Sequence, residues 1–431
     1  MRALRYAFRT LAKTPFVTLV AIVSLALGIG ANTAIFSLFD QMLLRSLPVQ
    51  EADGLVNLSA PGPNPGSQSC NSTGSCQEVW SYAMFRDLER EQVSFTGIAL
   101  HRLFGANFAL QGASPTSGMA VFVSGDYFPI LGLQPALGRL LLPADDERIG
   151  EHPVAVLSYQ YWENNLGADP SVLNQTLTVN GYPLTVVGVA PRGFRGTTLG
   201  SDIDVFVPIM MRTEMHPWWS EWENRRNYQY YLFARLAPGK SIEQATEEIN
   251  AIYVPILHEV EVPLQNQMTE ATMQRFQDKR VVVEPGHQGQ SQLHEEASTP
   301  LRLLLGITAV VLLIACANIA NLLLVRGAGR AQEMAIRGSL GASRGQMLGQ
   351  LLVEACLLAF MGGLASLIVA RWTLHLITAG LPPEAVATID LALSPQMIAF
   401  AAALSLGTGI VFGMYPAVQF EALPIGPPRG S

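Results

Sequence analysis

Five groups of residues have types and spacings that could do chemistry. Gly341-Ala342-Ser343-Arg344-Gly345 has the Gly-x-Ser-x-Gly spacing of a hydrolase nucleophile. That chemistry needs a strand before the serine and a tight turn that exposes its hydroxyl. Here the pentapeptide stands between two long apolar runs. Gly239-Lys240-Ser241 ends like a phosphate-binding loop, but the glycine required five positions before Gly239 is Ala234. The spot reads better as a strand, a turn and a helix start. His258-Glu259 and His294-Glu295-Glu296 lack a second histidine at metal spacing, so solvated surface charge accounts for them. Cys70 and Cys76 lie in a Gly/Ser/Pro/Asn-rich stretch. An oxidising compartment allows them to bond and close a small loop; otherwise they are two free thiols. Arg330, Glu333, Arg337 and Arg344 form a short basic segment in which Glu333 precedes Arg337 by four, the favourable order for a helix pair. Such a rigid elbow could receive force from a partner, or it is a plain basic stop signal. No catalytic residue, cofactor or metal site is expected.

The elements that position these groups are set by four apolar runs: Phe16 to Phe39, Leu303 to Val325, Met347 to Ala370 and Pro395 to Phe420. Each exceeds the ~20 residues needed to cross a hydrocarbon core, and Glu354 is their single charge. Arg2, Arg5, Arg9 and Lys13 precede the first run; Arg326, Arg330, Arg337 and Arg344 separate the second from the third. The positive-inside rule puts both segments in the cytoplasm. The loop between the third and fourth runs, with Arg371 against Glu384 and Asp390, then falls outside. The expected plan is a basic segment (1–15), a first membrane helix (16–46), an extracytoplasmic domain (47–299), a second helix (300–325), the elbow (326–346), a third helix (347–370), an outer loop (371–394), a fourth helix (395–420) and a tail (421–431). The first run is too long for a signal-peptide core, and no small-x-small site follows it. An uncleaved anchor is expected.

Residues 47–299 carry 15 Lys/Arg against 28 Asp/Glu, a net charge of −13, which leaves +6 on the rest. An acidic outer domain argues against nucleic acid as a partner. Its pattern mixes strands and helices. Helical spacing covers Glu78 to Gln92, Tyr159 to Asn165 and Ser241 to Leu257, the last opened by a Ser241/Gln244 capping box. Strand patterns cover Phe104 to Gln111, Met119 to Val123, Val154 to Leu157, Tyr228 to Leu236 and Arg280 to Val283. Two strand-like runs flank Asn180-Gly181, a strong hairpin signal. The fold class is an α-helical membrane protein, one helix plus three, with a large α+β extracytoplasmic domain. Loops carrying Trp218, Trp219 and Trp222 point to a second lobe.

Small residues recur every fourth position in three runs: Ala26, Gly30 and Ala34; Gly362, Ser366 and Ala370; Ser405, Gly409 and Gly413. These are packing faces, for one another or for a second copy. Asn32, Asn318, Asn321 and Glu354 are the intramembrane polar groups. Asn318 and Asn321, three apart, share a face and can bond to a neighbouring helix. Glu354 falls near the inner interface, wet or paired with Arg344. An ion relay needs several ionisable groups across the midplane, so ion-coupled transport is not expected. Cys316 and Cys356 read as inert small hydrophobes inside spans.

Long strings resemble the MacB/FtsX-like ABC-transporter permeases, most closely their acidobacterial-type duplicated orphan branch. They are Lys13-Thr14-Pro15 leading into LALGIGANTAIFSL (Leu25 to Leu38), LLRSLP (Leu43 to Pro48), VSGDYFPILGLQPALGR (Val123 to Arg139), VAVLSYQYW (Val154 to Trp162), LNQTLTVNGYPLTVVGVAPRGFRG (Leu173 to Gly196) and ACANIANLLLVRGAGRAQEMAIRGSLGASR (Ala315 to Arg344). The resemblance implies an inner-membrane efflux permease with a two-lobed periplasmic domain of MacB core type. It also implies a dimer with a second copy or half, and a separate cytoplasmic ATPase docked on the elbow, Arg330 to Arg344. A periplasmic adaptor is a further implied partner, besides membrane lipid. The permease would transmit movement outward rather than open a pore. The duplicated branch carries two such halves in one chain and this sequence carries one. A homodimer, a truncated non-functional half, and a membrane-tethered regulator or scaffold are the alternatives.

Overall fold

The computed structural model describes residues 2–110, 114–216, 222–265, 268–328, 344–380, 392 and 394–421. The chain divides into two compact units, Met1–Gln41 with Ala297–Ser431, and Met42–Glu296.

Helices α1 (Arg2–Lys13), α2 (Pro15–Phe39), α10 (Arg344–Thr378) and α11 (Pro395–Glu421) build the first unit, with α9 (Gln292–Ala328) from Ala297 on. Pro15 opens α2, where its missing N–H is no loss. The basic segment before it is itself helical, with Ala7 and Leu11 buried. Among the described residues, three stretches are long and apolar enough to cross a membrane: Pro15–Leu44, Glu296–Asn321 and Leu352–Thr378. A shorter apolar stretch, Pro395–Val411, opens α11. Large apolar side chains stand exposed along them, including Leu27, Ile307, Leu313, Phe360 and Leu406. Hydrocarbon is as apolar as these side chains, so in a bilayer they need no protein partner.

Strands β1 (Leu55–Ser59), β2 (Ser67–Gln68), β3 (Phe95–Leu110), β4 (Thr116–Val123), β5 (Leu137–Gly138), β6 (Val154–Leu157), β7 (Thr176–Val179), β8 (Tyr182–Val189), β9 (Ile203–Pro208), β10 (Asn227–Tyr228), β11 (Tyr231–Leu236) and β12 (Val282–Pro285) fall in the second unit. Ten of them form one sheet in the order β12-β1-β11-β3-β4-β9-β6-β8-β5, with β7 bridging β3 and β8. The β7–β8 hairpin turns at Asn180-Gly181, both at positive φ (49° and 87°), as a two-residue turn of matching twist requires. Asn180 then docks on β3: its N–H donates to Asn107 O at 2.9 Å and its Oδ1 accepts from Asn107 N at 2.9 Å.

The sheet is buried on both faces. On one, Ile98, Leu100, Leu232 and Ala234 pack with α3 (Tyr82–Glu91) and α7 (Ile242–Ile256). On the other, Ala99, Leu103 and Phe233 meet Tyr127 and Phe128 of the short helix α4 (Tyr127–Leu131) and Phe206 of β9. Helices α5 (Tyr159–Leu166), α6 (Arg212–Met215) and α8 (Glu270–Gln277) complete the set. Burial of both faces explains why β3 begins at Phe95, nine residues before the alternation marks it: a strand covered on both sides reads as a continuous apolar run. The helix expected from Glu78 starts only at Tyr82, because Ser81 caps it and Trp80 is extended, bridged to Tyr230. Trp222 packs back against Tyr82 at 4.8 Å and donates to Thr213 Oγ1 at 2.8 Å. Trp218 and Trp219 lie outside the described residues.

Candidate functional site

Two places hold the candidate residues and their neighbours: the packing faces of the helical unit, and the segments that lead into and out of the sheet-based unit. On the faces, Ala26, Gly30 and Ala34 are buried. A Cβ on Gly30 would stand 2.7 Å from Val369 Cβ and 2.9 Å from Ser366 O. Gly409 meets Ala359 and the Cys356 backbone in the same way, at 3.0 and 3.3 Å. Ser405 Oγ donates to Ala359 O at 2.7 Å. Gly413 lies in α11, with its surroundings outside the described residues. Asn32 is buried and clamps α2 to α9: its Nδ2 donates to Thr308 O at 2.8 Å while Thr308 Oγ1 donates to its Oδ1 at 3.1 Å. Such interhelical bonds stabilise membrane bundles by ~1 kcal/mol. Glu354 is buried in the unit. Asn318 and Asn321 are exposed on the surface of the unit, and the inner face of α9 at that level is taken by Cys316, Ile319 and Ala320.

At the connections, the turn after α2 and the segment after β12 run together. Leu47 N–H donates to His287 O at 2.8 Å, Gln288 Nε2 donates to Leu43 O, and His294 Nδ1 bonds to Met42 O at 3.1 Å. Asn57 of β1 donates to Gly289 O at 3.0 Å. Gly289 sits at φ +80°, where a Cβ would lie 2.2 Å from Thr197 O; only glycine fits. Gln290 is the anchor. Its N–H donates to Thr197 O at 2.9 Å, its Nε2 to Leu232 O at 3.1 Å, and its Oε1 lies 2.7 Å from His101 Nε2. Because that Oε1 can only accept, His101 carries its proton on Nε2. Burial holds the imidazole neutral, pulling its pKa down to about 4. Sequence reasoning missed this pair, and no local signal marks it: the residues lie 189 apart.

The other candidates fall into structural roles. Gly239 makes the turn from β11 to α7, Lys240 pairs with Glu248 at 2.5 Å, and Ser241 caps Gln244. His258 is exposed. Among the described residues no three metal-type ligands gather. Cys70 and Cys76 are bonded. Arg330, Glu333, Arg337 and Ser343 lie outside the described residues, as does the side chain of Arg344, whose backbone opens α10.

A second buried polar cluster lies in the outer unit. Arg225 bonds Asp87 at 2.5 Å and faces Glu261 at 3.7 Å. Lys279 donates to Asn64 Oδ1 at 2.5 Å and lies over the Tyr228 ring. Burial raises the Glu261 carboxyl to about 7, against the attraction of Arg225 and Lys279. A carboxyl raised on folding stabilises fully below its ordinary value near 4.5 and loses that contribution as pH rises through 7. Glu261→Gln is therefore expected to stabilise the outer unit by ~1 kcal/mol at pH 8 and by much less at pH 5. Urea unfolding at the two pH values measures the difference.

A helical unit with lipid-matched surfaces, interrupted after its first long helix by a sheet-based unit, defines a multi-span membrane protein with one large inserted domain. The MacB-like periplasmic core domain family matches residues 18–252, and the FtsX-like permease C-terminal family matches residues 305–423. The first match alone covers more than half of the chain, and the chain belongs to the MacB/FtsX-like permeases of ABC transporters. It is similar to the macrolide export ATP-binding/permease protein MacB 1/2 of Paracoccus denitrificans, 25% identical over 72% of this chain and 42% of that protein. It is also similar to the pyoverdine export ATP-binding/permease protein PvdT of Pseudomonas syringae, 23% identical over 96% of this chain and 57% of that protein. The chain thus spans less than two thirds of the length of either. Among solved structures, the periplasmic region of MacB from Actinobacillus actinomycetemcomitans matches 51% of this chain and 95% of its own at 14% identity, with a TM-score of 0.37.

Proposed function

We propose that this chain is the membrane subunit of an exporter, driven by a separate cytoplasmic ATPase that docks on the elbow from Arg330 to Arg344. In this reading the elbow faces the cytoplasm, residues 47–299 lie in the periplasm, and ATP-driven shifts of the helices move the outer domain. The observation that carries it is the family match, with the permease model on the C-terminal helices and the periplasmic-core model on the inserted domain. The names of the relatives join ATP binding, permease function and export in one protein. The cavity among Leu25, Cys316, Ile319, Leu358 and Gly409 is about 20 Å³ and apolar, room for about one water, and a larger apolar recess of about 690 Å³ lies among Val353, Leu357, Phe360, Ala402 and Leu406. The exposed Asn318 and Asn321, beside Leu313 and Ile314 on α9, offer a face for a second copy. A periplasmic adaptor is the remaining partner of this reading.

The test is co-purification of the chain with its ATPase, followed by coupled hydrolysis in liposomes. Replacing Glu333 and Arg337 by alanine is expected to cut permease-stimulated ATPase activity at least tenfold with the fold intact. Unchanged stimulation in both variants contradicts the elbow assignment.

A further inference from the structure

We infer that the Cys70–Cys76 disulfide is a redox-sensitive latch on the segment that joins the outer sheet to α9. The loop it closes, Asn71 to Ser75, is polar and has little apolar anchorage of its own. It nevertheless grips three distant places. The carbonyl of Ser72 accepts the N–H of Gln292 at 3.1 Å, satisfying a donor that the start of α9 leaves without a helical partner. Thr73 is buried, with its hydroxyl 3.1 Å from that of Thr198, and Ser72 Oγ lies 3.3 Å from Ser201 Oγ. Tyr231 Oη, from the centre of the sheet, accepts from Asn71 N at 3.1 Å and donates to Gly74 O at 2.7 Å.

The 197–201 loop gripped on one side by Thr73 is gripped on the other by the connection. Gln290 bridges to Thr198, and Ser291 Oγ donates to Leu199 O at 2.8 Å. The disulfide loop, the 197–201 loop and residues 290–292 therefore form one hydrogen-bonded stack, and the disulfide is the covalent restraint that keeps its outermost layer in shape. Opening it returns conformational freedom to a loop that hydrogen bonds alone then hold in place. Cys70 is exposed, so a dithiol can reach it. The exchange is balanced: the dithiol supplies two electrons and two protons, the S–S bond becomes two thiols, and the reductant leaves as its own disulfide.

The consequence for transport rests on the proposed function, but the latch itself does not, and its test needs no ATPase. Hydrogen exchange is followed on the full chain in detergent, oxidised and then reduced with dithiothreitol. Reduction is expected to speed exchange in peptides covering 286–296 and 197–201 about tenfold, leave β3 and β4 unchanged, and reverse on reoxidation. Thr73→Val, with the disulfide intact, is expected to speed 197–201 by a smaller factor. Faster exchange confined to 70–76 would overturn the latch, as would a uniform rise through the whole sheet.

Discussion

Gly30→Leu is expected to destabilise the helical unit by about 3 kcal/mol or to prevent its assembly. The reason is geometric. The first carbon of the new side chain would lie 2.7–2.9 Å from Val369 Cβ, Val369 Cγ1 and Ser366 O. One of these is backbone, so rotamer changes alone do not make room. Either α2 moves away from α10 or α10 bends, and each loses the close contact that a bundle in lipid depends on. Gly306→Leu is the matched control, since a Cβ there meets nothing within 4 Å. Titration with sodium dodecyl sulfate in mixed micelles is expected to unfold the first variant early and the second like the parent. Equal midpoints would mean that the α2–α10 face is not tightly packed.

The second large effect concerns His101. Its ring is fully buried, held by Gln290 and surrounded by Tyr127, Tyr231 and Phe233. The unfolded chain takes up a proton there near pH 6.5, whereas the folded unit refuses it until about pH 4. The sign follows: a basic group depressed on folding contributes its full stability above 6.5 and loses it as pH falls toward 4. The loss is about 3 kcal/mol. Burial of Glu261 and Asp146, both raised to about 7, works in the opposite direction over part of that range. The useful quantity is therefore the difference between parent and His101→Gln. That difference in unfolding free energy is expected to shrink by about 3 kcal/mol between pH 7 and pH 4. A pH-independent difference would show that the ring titrates freely.

These outcomes also separate what was legible in the sequence from what was not. The membrane runs were legible because length and the near absence of charge are local properties. So were the Asn180-Gly181 hairpin and the Ser241/Gln244 cap, since each depends on residues within a few positions of one another. Strands β1 and β9 were not assigned, because Leu55–Ser59 and Ile203–Pro208 are short and buried on both sides, so the alternation that marks a half-exposed strand is missing. The small-residue row in α2 could be read as a packing face, but its partner could not: a row of small side chains says that something approaches closely without saying what. The same limit applied to Asn318 and Asn321, whose spacing gave a shared face and no direction. Gln290 was invisible. A single polar residue carries no pattern, and its role comes from Thr197, Leu232 and His101, which the fold alone brings to it.

In the proposed arrangement the sheet-based unit and the elbow lie on opposite sides of the membrane. Impermeant maleimide labelling of intact spheroplasts tests this most directly, with Cys316 and Cys356 replaced by serine and one new cysteine at the exposed Asn164 or at Ala335. Asn164→Cys is expected to label at once and Ala335→Cys only after lysis. Protection of Asn164→Cys in intact spheroplasts, or immediate labelling of Ala335→Cys, would contradict that arrangement.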